Sequence, residues 1–566
     1  MPPTPSPHAA PPFRVGVESI LPGADDWFAT IYGCWFGKYF TEEHLALALR
    51  EVGAQFTLFY DSLAPRKPDA CARITALCGR LGLPYLFNNT YGDIQGPWHA
   101  DTGRAEYTPA QLRGAAAGGL FRGVVWDEVE HRQLHHYDCG PGPYFLDPRG
   151  LGVEAAYEAL TAAIADPVGR YARDGAPSVA ECVFPSLFHV LARAGMAPAP
   201  KLLKESFNPL MLALAIGAAR QYDRECWAVL DLWGAHDYFW GSRTVGTLEG
   251  GNPGHSPDEY RSALLLAYWL GLDALYTEAL YNLIVPVTTT PEEWAEIAAH
   301  PIRHRGAENP LVVNYRRKGY VLTVYGKLHR WFVQEYLPAH PRPFSFRDVR
   351  PEVAIIALPD STWCRRDGVA WWPSRAALFG PDGPPKEARH EALLDAVHVL
   401  THERVPRTGM SYFNEPFASR LRPVQERLKA ARDFADYPND CLHTGFCPLH
   451  GVVVYDHRVG VELLRGVPLL LCTGETLSPG TRAAVLNCVR AGAKCLALPH
   501  LLPELAGAAH PRVLLTADFT GAAARAFVAP HLGTADEVCY RFDRYLVRAS
   551  AADGDEERLR FSCTAE

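Results

Sequence analysis

The feature that most constrains this chain is a regular alternation of short apolar runs and longer segments of helical period, up to about residue 340. Such alternation is typical of repeated strand–helix units, which build a parallel sheet. Seven or eight units in roughly 330 residues fit a (β/α)8 TIM barrel with long loops after the strands. A doubly wound sheet is the alternative, but no glycine-rich phosphate turn follows the first run. The predicted strands are Phe13–Val17, Gln55–Tyr60, Pro84–Phe87, Gly123–Trp126, Lys201–Leu203, Trp227–Leu230, Leu272–Tyr276 and, as the eighth, Leu311–Asn314.

The pattern breaks at the proline-rich stretch Pro338–Pro343. Beyond it, Val353–Leu358 and Val467–Cys472 are fully apolar runs, typical of strands buried on both faces of a parallel sheet. A helix beginning at Ser478-Pro479 and a strand at Lys494–Leu498 complete a β-helix-β unit. These residues predict a second, flavodoxin-like α/β domain without a nucleotide-binding motif.

The last part of the chain predicts a small β module. Its strands are Arg512–Leu515 and Tyr545–Ala549, and its best-defined turn is the hairpin at residues 552–555. The predicted organisation is a proline-rich leader at 1–12, the barrel at 13–345, the α/β domain at 350–508 and the β module at 511–566.

Composition and charge exclude several classes of protein. The 566 residues are 48% hydrophobic and 21% charged, which is ordinary for a globular protein and excludes a disordered chain. A net charge of −8 indicates no partner among nucleic acids or anionic membranes. The 14 cysteines are scattered without a CxxC pair, and the N-terminus lacks the features of a signal peptide. No apolar run reaches the length of a membrane span. We therefore expect a cytoplasmic protein.

In a TIM barrel the chemistry lies where the strands end, at the C-terminal face. Acidic and amide residues recur just past the predicted strands, which is better evidence than any one of them alone. They are Glu18, Asp61, Asn88, Asn89, Asp127, Glu128, Glu130, Glu205, Asp231 and Glu278, with Lys204 among them.

The sharpest of these sites is Asp127-Glu128-Val129-Glu130, where an apolar strand runs directly into three carboxylates. Carboxylates this close repel one another, so a buried one has a raised pKa, as a general acid near neutral pH requires. The alternative is that one of them pairs with a lysine or arginine while the others face water.

A second carboxylate, Glu278, ends another apolar strand. Counted from Phe13–Val17, Gly123–Trp126 is the fourth predicted strand and Leu272–Tyr276 the seventh, so Glu128 and Glu278 would face each other across the barrel mouth. Glycoside hydrolysis uses such a pair. The alternative for Glu278 is a salt bridge at the barrel rim.

The loop after the sixth predicted strand interleaves aromatic and polar residues. Its candidates for stacking on a sugar ring or binding a hydroxyl are Trp233, His236, Asp237 and Trp240. The alternative is an aromatic cluster that closes the barrel rim. Further candidate substrate-binding residues are Asp127, Glu130, Asn88, Asn89, Glu205 and Asp231, because amide and carboxylate groups bind sugar hydroxyls.

These strand-four and strand-seven glutamates resemble those of clan A glycoside hydrolases. The succession of barrel, α/β domain and small β module resembles family 42 β-galactosidases and related families, and the segment 319–327 resembles the one leading into their last barrel helix. The resemblance implies a glycoside, oligosaccharide or polysaccharide substrate, Glu128 as acid/base and Glu278 as nucleophile. It also implies a homo-oligomer, a trimer in family 42. The chain departs from clan A in one place, with Asp127 where clan A has asparagine.

Several alternatives stay open on the sequence alone. One is an inverting hydrolase or lyase that uses Glu128, Glu130 and Asp231. Another is a non-catalytic carbohydrate-binding barrel, and a third is a metal-dependent hydrolase. Two groups carry possible metal ligands, 131–139 and the set Cys441, His443, Cys447 and His450, but neither has a standard zinc spacing. We expect no metal and no cofactor.

Overall fold

In the residues that the structure describes, the chain closes into an eight-stranded parallel barrel, followed by a short two-stranded sheet and two larger sheets. A computed structural model describes residues 12–19, 21, 41–59, 69–90, 107–130, 146–183, 185–203, 209–232, 257–278, 280–286, 320–358, 383–405, 447–506 and 510–566. The prediction of a TIM-type barrel is confirmed. The flavodoxin-like assignment and the domain boundaries stay predictions.

The barrel strands pair in chain order, and the eighth pairs with the first. Every neighbouring pair is parallel. The strands are β1 Arg14–Ser19, β2 Phe56–Phe59, β3 Tyr85–Thr90, β4 Phe121–Asp127, β5 Ser178–Cys182, β6 Met196–Leu202, β7 Trp227–Asp231 and β8 Ala274–Glu278.

The predicted strand count was wrong from the fifth strand onward. The prediction omitted β5 and recognised only the end of β6, so the strands then counted as sixth and seventh are β7 and β8. β6 carries Pro198 and Pro200, and proline is unusual in a central strand because it lacks the donor N–H. The predicted eighth strand, Leu311–Asn314, lies outside the described residues, and the barrel closes without it.

Helices cover the outside of the barrel. Capping boxes at Thr41 and Thr108 begin the helices Glu42–Val52 and Pro109–Ala116, and Gly53 and Gly82 end Glu42–Val52 and Ala70–Leu81 in the left-handed conformation. A short antiparallel pair, β9 Ile284–Pro286 and β10 Tyr320–Leu322, follows β8. The helices are α1 Glu42–Val52, α2 Ala70–Leu81, α3 Pro109–Ala116, α4 Val153–Arg173, α5 Phe188–Ala194, α6 Pro209–Gln221, α7 Pro257–Trp269, α8 Leu280–Leu283, α9 Val324–Trp331 and α10 Leu337–Ala339.

The second sheet has five strands, all parallel. Numbered from its own first strand, its spatial order is 2-1-3-4-5. It packs on the barrel through α6, where a side chain at Gly217 would collide with the backbone oxygen of Val454, 1.7 Å from the Cβ position. The strands are β11 Val353–Leu358, β13 Val452–Tyr455, β14 Leu469–Gly474, β15 Lys494–Ala497 and β16 Val513–Leu515, and the helices are α11 Ala392–Leu400, α12 Val461–Leu464 and α13 Pro479–Arg490.

The third sheet has four strands in the order β12-β17-β18-β19 and contacts α7 of the barrel. The strands are β12 Leu449–His450, β17 Glu537–Phe542, β18 Tyr545–Ala552 and β19 Asp555–Ala565, and α14 Ala522–Val528 lies between β12 and β17 in the chain. The predicted hairpin at 552–555 joins β18 and β19. The run at 512–515, predicted within this module, instead pairs with β15 of the parallel sheet.

Candidate active site

The C-terminal end of the barrel interior is lined by charged and amide side chains. Side chains alternate across a strand, so the position two residues beyond an inward-facing one also faces inward. The inward apolar residues Val179, Ala199 and Val229 are followed, two positions later, by Glu181, Lys201 and Asp231. Every strand except β2 contributes in this way. With Glu128, just after β4, these residues form what we call the mouth cluster: Glu18, Asn88, Asp127, Glu128, Glu181, Lys201, Asp231 and Glu278.

Lys201 lies at the centre of the mouth cluster, and its side chain is 1% exposed. Five carboxylates surround its ammonium nitrogen. The Nζ–oxygen distances are 3.2 Å to Asp127, 2.9 Å to Glu128, 2.8 Å to Glu181, 3.5 Å to Asp231 and 2.9 Å to Glu278.

The backbone directs Glu128 into this cluster. Its φ of 49° is in the left-handed region, which non-glycine residues seldom adopt. Its backbone N–H donates to the carbonyl oxygen of Glu181 over 2.8 Å, which ties the end of β4 to β5. A strained backbone conformation persists only where the surrounding structure stabilises it, and such conformations are concentrated at functional sites.

Glu18 and Asn88 form the side of the mouth cluster on β1 and β3. The amide nitrogen of Asn88 donates to Oε1 of Glu18 over 3.4 Å, and Glu18 is 2% exposed. Burial raises the pKa of Glu18 well above its usual range, and the carboxylates of Glu278, Asp127 and Asp231 raise it further. Glu18 therefore holds its proton more strongly than an exposed glutamate.

The opposite side holds a second proton-binding group. The hydroxyl of Tyr276 donates to Oε2 of Glu181. Burial raises the pKa of Glu181 well above its usual range, although Lys201 opposes this shift. Burial alone would lower the pKa of Lys201, but Asp127, Glu128, Glu181 and Glu278 together raise it well above the usual value. The mouth cluster thus combines a retained ammonium with carboxyl groups that hold protons.

The structure brings six of the predicted candidate residues together, namely Glu18, Asn88, Asp127, Glu128, Asp231 and Glu278. Glu278 ends β8, which corrects its assignment to strand seven, and Asp231 is the carboxylate that ends β7.

Glu130 lies apart from these residues. Its carboxylate accepts a hydrogen bond from the backbone N–H of Val183 over 2.5 Å, so it braces the turn after β5. Asn89 belongs to β3, but its side chain lies outside the description. The remaining predicted residues lie outside the described residues; they are Asp61, Lys204, Glu205, Trp233, His236, Asp237 and Trp240. Residues 233–240 follow β7 in the chain rather than a sixth strand.

Two central members of the cluster, Glu181 and Lys201, were missed by the sequence reasoning. That reasoning considered residues past each predicted strand, and so selected Lys204 and Glu205 in place of the inward-facing Lys201. The signal that could have found both is a charged residue two positions after a small or branched apolar one, within a strand rather than beyond it.

Within the described parts of the chain, no group of three or more histidine, cysteine, aspartate or glutamate side chains has the geometry to hold a metal ion. Of the possible ligands near 441–450, Cys447 is buried and His450 belongs to β12, while Cys441 and His443 lie outside the description. Among the described helices, none combines the length and apolar character of a membrane span.

No family model and no curated protein matches the chain. Similar solved structures include GH5_18 from Streptomyces cattleya in complex with GlcNAc, at 14% identity and a TM-score of 0.39, over 79% of this chain and 99% of that one. The exo-beta-1,4-mannosidase Op5Man5 from Opitutaceae bacterium strain TAV5 has 12% identity and a TM-score of 0.39, over 98% of this chain and 86% of that one. A 3-keto-D-glucoside 4-epimerase from E. coli has 11% identity and a TM-score of 0.27, over 52% and 99%. At these values the likenesses decide nothing about activity.

Proposed function

We propose that the chain is a retaining glycoside hydrolase in which Glu128 is the acid/base and Glu278 the nucleophile. The observation that carries this proposal is the spacing of the two carboxylates. Their oxygens each lie 2.9 Å from the nitrogen of Lys201 and are therefore at most about 5.8 Å apart, which is twice 2.9 Å. Retaining enzymes hold their carboxyl groups about 5–5.5 Å apart, whereas inverting enzymes need roughly 6.5–9.5 Å.

The proposed reaction is a double displacement. The carboxylate of Glu278 attacks the anomeric carbon while Glu128, whose Oε1 accepts a hydrogen bond from Lys201, donates a proton from its other oxygen to the departing glycosidic oxygen. Glu128 then removes a proton from water, which hydrolyses the glycosyl–enzyme and regenerates Glu278. Glu278 suits the first step because its side chain, at 16% exposed, is the most accessible of the five carboxylates around Lys201.

Asp231 is a second candidate for the nucleophile. Clan A enzymes carry the nucleophile on strand seven, and in this barrel the carboxylate at the end of β7 is Asp231. Its nearest oxygen lies 3.5 Å from Lys201, farther than that of Glu278, and aspartate reaches less far into the mouth. We therefore place Glu278 first and let experiment decide between them.

The proposed substrate is a glycoside, oligosaccharide or polysaccharide. In this proposal Trp233, His236, Asp237 and Trp240 contribute stacking and hydrogen bonds from the loop after β7. The family 42 likeness gains support from the second sheet, because the order 2-1-3-4-5 is that of flavodoxin-like sheets. With that likeness we propose a homo-oligomer, with a trimer as the first state to test by sedimentation.

The test is a screen of aryl glycosides with the wild type, Glu128→Gln, Glu278→Gln and Asp231→Asn, with the exposed Glu335→Gln as the control. Glu128→Gln should keep part of its activity on substrates with good leaving groups, because such groups depart without protonation. Azide added to Glu278→Ala should give a glycosyl azide of inverted configuration, which identifies the nucleophile.

Each result decides between the alternatives. Azide rescue in Asp231→Ala instead of Glu278→Ala would move the nucleophile to β7. Products with inverted configuration from the wild type would point to the inverting mechanism. Sugar binding that is equal in all variants, without any turnover, would indicate a non-catalytic carbohydrate-binding barrel. Turnover at the wild-type rate in both Glu128→Gln and Glu278→Gln would refute the assignment.

A further inference from the structure

The mouth cluster contains far more negative than positive charge. Six of its members are carboxyl groups, and Lys201 is its one cation. Buried charges are stable only when they are paired and hydrogen-bonded, so a cluster of this composition must keep some of its carboxyl groups protonated. Lys201 influences which of them lose their protons, because an ammonium favours the ionised form of a neighbouring carboxyl group while burial opposes it.

We propose that Lys201 is the positioning residue of this site: its ammonium bridges Glu128 and Glu278, holds their carboxylates at a fixed separation, and keeps Glu278 ionised for attack. The role in attack rests on the proposed glycosidase function. The bridging and the retained ammonium rest on the structure alone.

The contacts of Lys201 favour this role over a structural one. An ammonium has three N–H groups to donate. Hydrogen bonds of 2.9 Å go to Glu128 and to Glu278, and an ion-pair contact of 2.8 Å goes to Glu181. Lys201 therefore joins the carboxylates that follow β4 and β8 across the barrel axis, rather than pairing with one neighbour on the next strand.

Glu18 is the carboxyl group of the mouth cluster that lies outside these contacts. Glu18 lies in the same buried layer but makes no ion pair with Lys201 within 4 Å among the described contacts, and its described hydrogen bond comes from the neutral amide of Asn88. Its pKa is raised well above the usual range. Burial is the largest cause of this shift, and Lys201 opposes it without outweighing it.

The same contacts argue against imine chemistry at Lys201. An amine must lose its proton before it can attack a carbonyl carbon. Five carboxylates around the nitrogen favour the protonated form, and they raise the pKa of Lys201 well above its usual value. The titratable groups that face Lys201 are Glu18 on β1, Asp127 and Glu128 at the end of β4, Glu181 on β5, Asp231 on β7, and Tyr276 and Glu278 on β8.

The first experiment compares the pH dependence of kcat/KM in Lys201→Met, which keeps the length but removes the charge, and Lys201→Arg, which keeps the charge. Lys327→Met, the same change at an exposed lysine on α9, is the control. Without the cation Glu278 binds its proton more tightly, so the acid limb of the profile should move to higher pH by about one unit or more in Lys201→Met. It should move much less in Lys201→Arg. An acid limb at the wild-type position in a folded Lys201→Met would overturn the proposal.

The second experiment does not depend on catalysis. The chain has nine lysines, so lysine labelled with 13C at Cε gives a small set of NMR signals. The Lys201 signal, assigned as the one absent from Lys201→Arg, should keep the shift of an ammonium at a pH where Lys327 has half titrated. A Lys201 signal that titrates at lower pH than Lys327 would refute the retained ammonium.

The two experiments separate the failure of this inference from the failure of the proposed function. If no aryl glycoside is turned over while Lys201 titrates above Lys327, the glycosidase assignment is wrong and the retained ammonium stands. If glycosides are hydrolysed while the acid limb of the kcat/KM profile stays at the wild-type pH in Lys201→Met, the glycosidase assignment stands and the positioning role is wrong.

Discussion

Two buried clusters in this molecule contain carboxyl groups, and the two surround those groups with different partners. The mouth cluster crowds six carboxyl groups around one lysine. A second cluster, between the barrel and the second sheet, surrounds the single carboxylate of Asp456 with donors; we call it the interface cluster. Tyr157, Tyr222 and Gln221 all donate to Asp456.

The interface cluster is a structural joint. The hydroxyl of Tyr157 on α4 lies 2.7 Å from Asp456, and the backbone N–H of Arg458 donates over 2.8 Å. Burial alone would raise the pKa of Asp456, but its histidine neighbours and hydrogen bonds hold that pKa below the usual value. Satisfied networks of this kind rigidify a fold, whereas the surplus of carboxyl groups at the mouth costs stability and is retained where chemistry needs it. Changes in the two clusters should therefore separate activity from stability.

The largest expected effect is on activity, from Glu278→Gln. An amide cannot act as a nucleophile, so kcat/KM should fall by on the order of 10⁴-fold or more. The free energy of unfolding should not fall, because the change removes one negative charge from a surplus. Kinetics and urea denaturation of the same preparation measure both. A large loss of stability in Glu278→Gln would mean that the two clusters are built alike.

The matched change in the interface cluster is Asp456→Asn. Donors approach both carboxylate oxygens of Asp456, so the NH₂ group of asparagine must face a donor on one side. We expect a loss of about 3 kcal/mol in the free energy of unfolding, with kcat/KM unchanged. The exposed Asp553→Asn is the control and should stay within about 0.5 kcal/mol of wild type. Unchanged stability in Asp456→Asn would contradict the structural role.

Glu18→Gln is expected to have a smaller effect, a change in the free energy of unfolding that depends on pH. The folded-state pKa of Glu18 is raised, so the native state binds more protons than the unfolded state once the pH exceeds about 4.5, the ordinary value. Stability is then lost as the pH rises above that value. Glutamine removes this loss, so Glu18→Gln should be more stable than wild type at neutral pH by on the order of 1 kcal/mol.

This gain should disappear below the ordinary pKa, where Glu18 is protonated in both states. Denaturation curves at neutral pH and below pH 4.5 check this. A gain of equal size at both pH values would show that the charge of Glu18 is not its cause.

The smallest expected difference is between Tyr276→Phe and Tyr157→Phe. Each change removes one phenol donor to a buried carboxyl group, Glu181 in the mouth cluster and Asp456 in the interface cluster. A hydrogen bond to an ionised group contributes about 1.5–3 kcal/mol and one between neutral groups roughly 1 kcal/mol. Because the raised pKa of Glu181 favours its protonated form, Tyr157→Phe should be the more destabilising of the two by about 1 kcal/mol. Equal thermal shifts would remove this distinction between the clusters.

The sequence located much of the candidate site but not its centre. Glu18, Asn88, Asp127, Glu128, Asp231 and Glu278 were recognised because each stands where an apolar run ends. Glu130 was wrongly grouped with them, because residues 127–130 are adjacent in sequence while the turn after β4 directs Glu130 to the N–H of Val183. Neighbours in sequence share a cluster only when the backbone turns them the same way.

The sequence by itself was enough to predict the barrel, because the local spacing of apolar residues shows the alternation of strands and helices. It also determined that carboxylates collect at one end, since all parallel strands of a barrel end on the same side. Only the tertiary structure decided the number and order of the strands. It shows that β6 is a barrel strand despite its prolines, because β6 pairs with β5 on one side and with β7 on the other. It also decided that the strand at 513–515 joins the second sheet.

The tertiary structure alone placed Lys201 among five carboxylates that are spread along the chain between residues 127 and 278. The physical reason is that alternation along a strand tells which way a side chain points, but not which strand lies opposite. That partner is chosen by the closure of β8 on β1, a pairing between residues about 260 positions apart that no local pattern records.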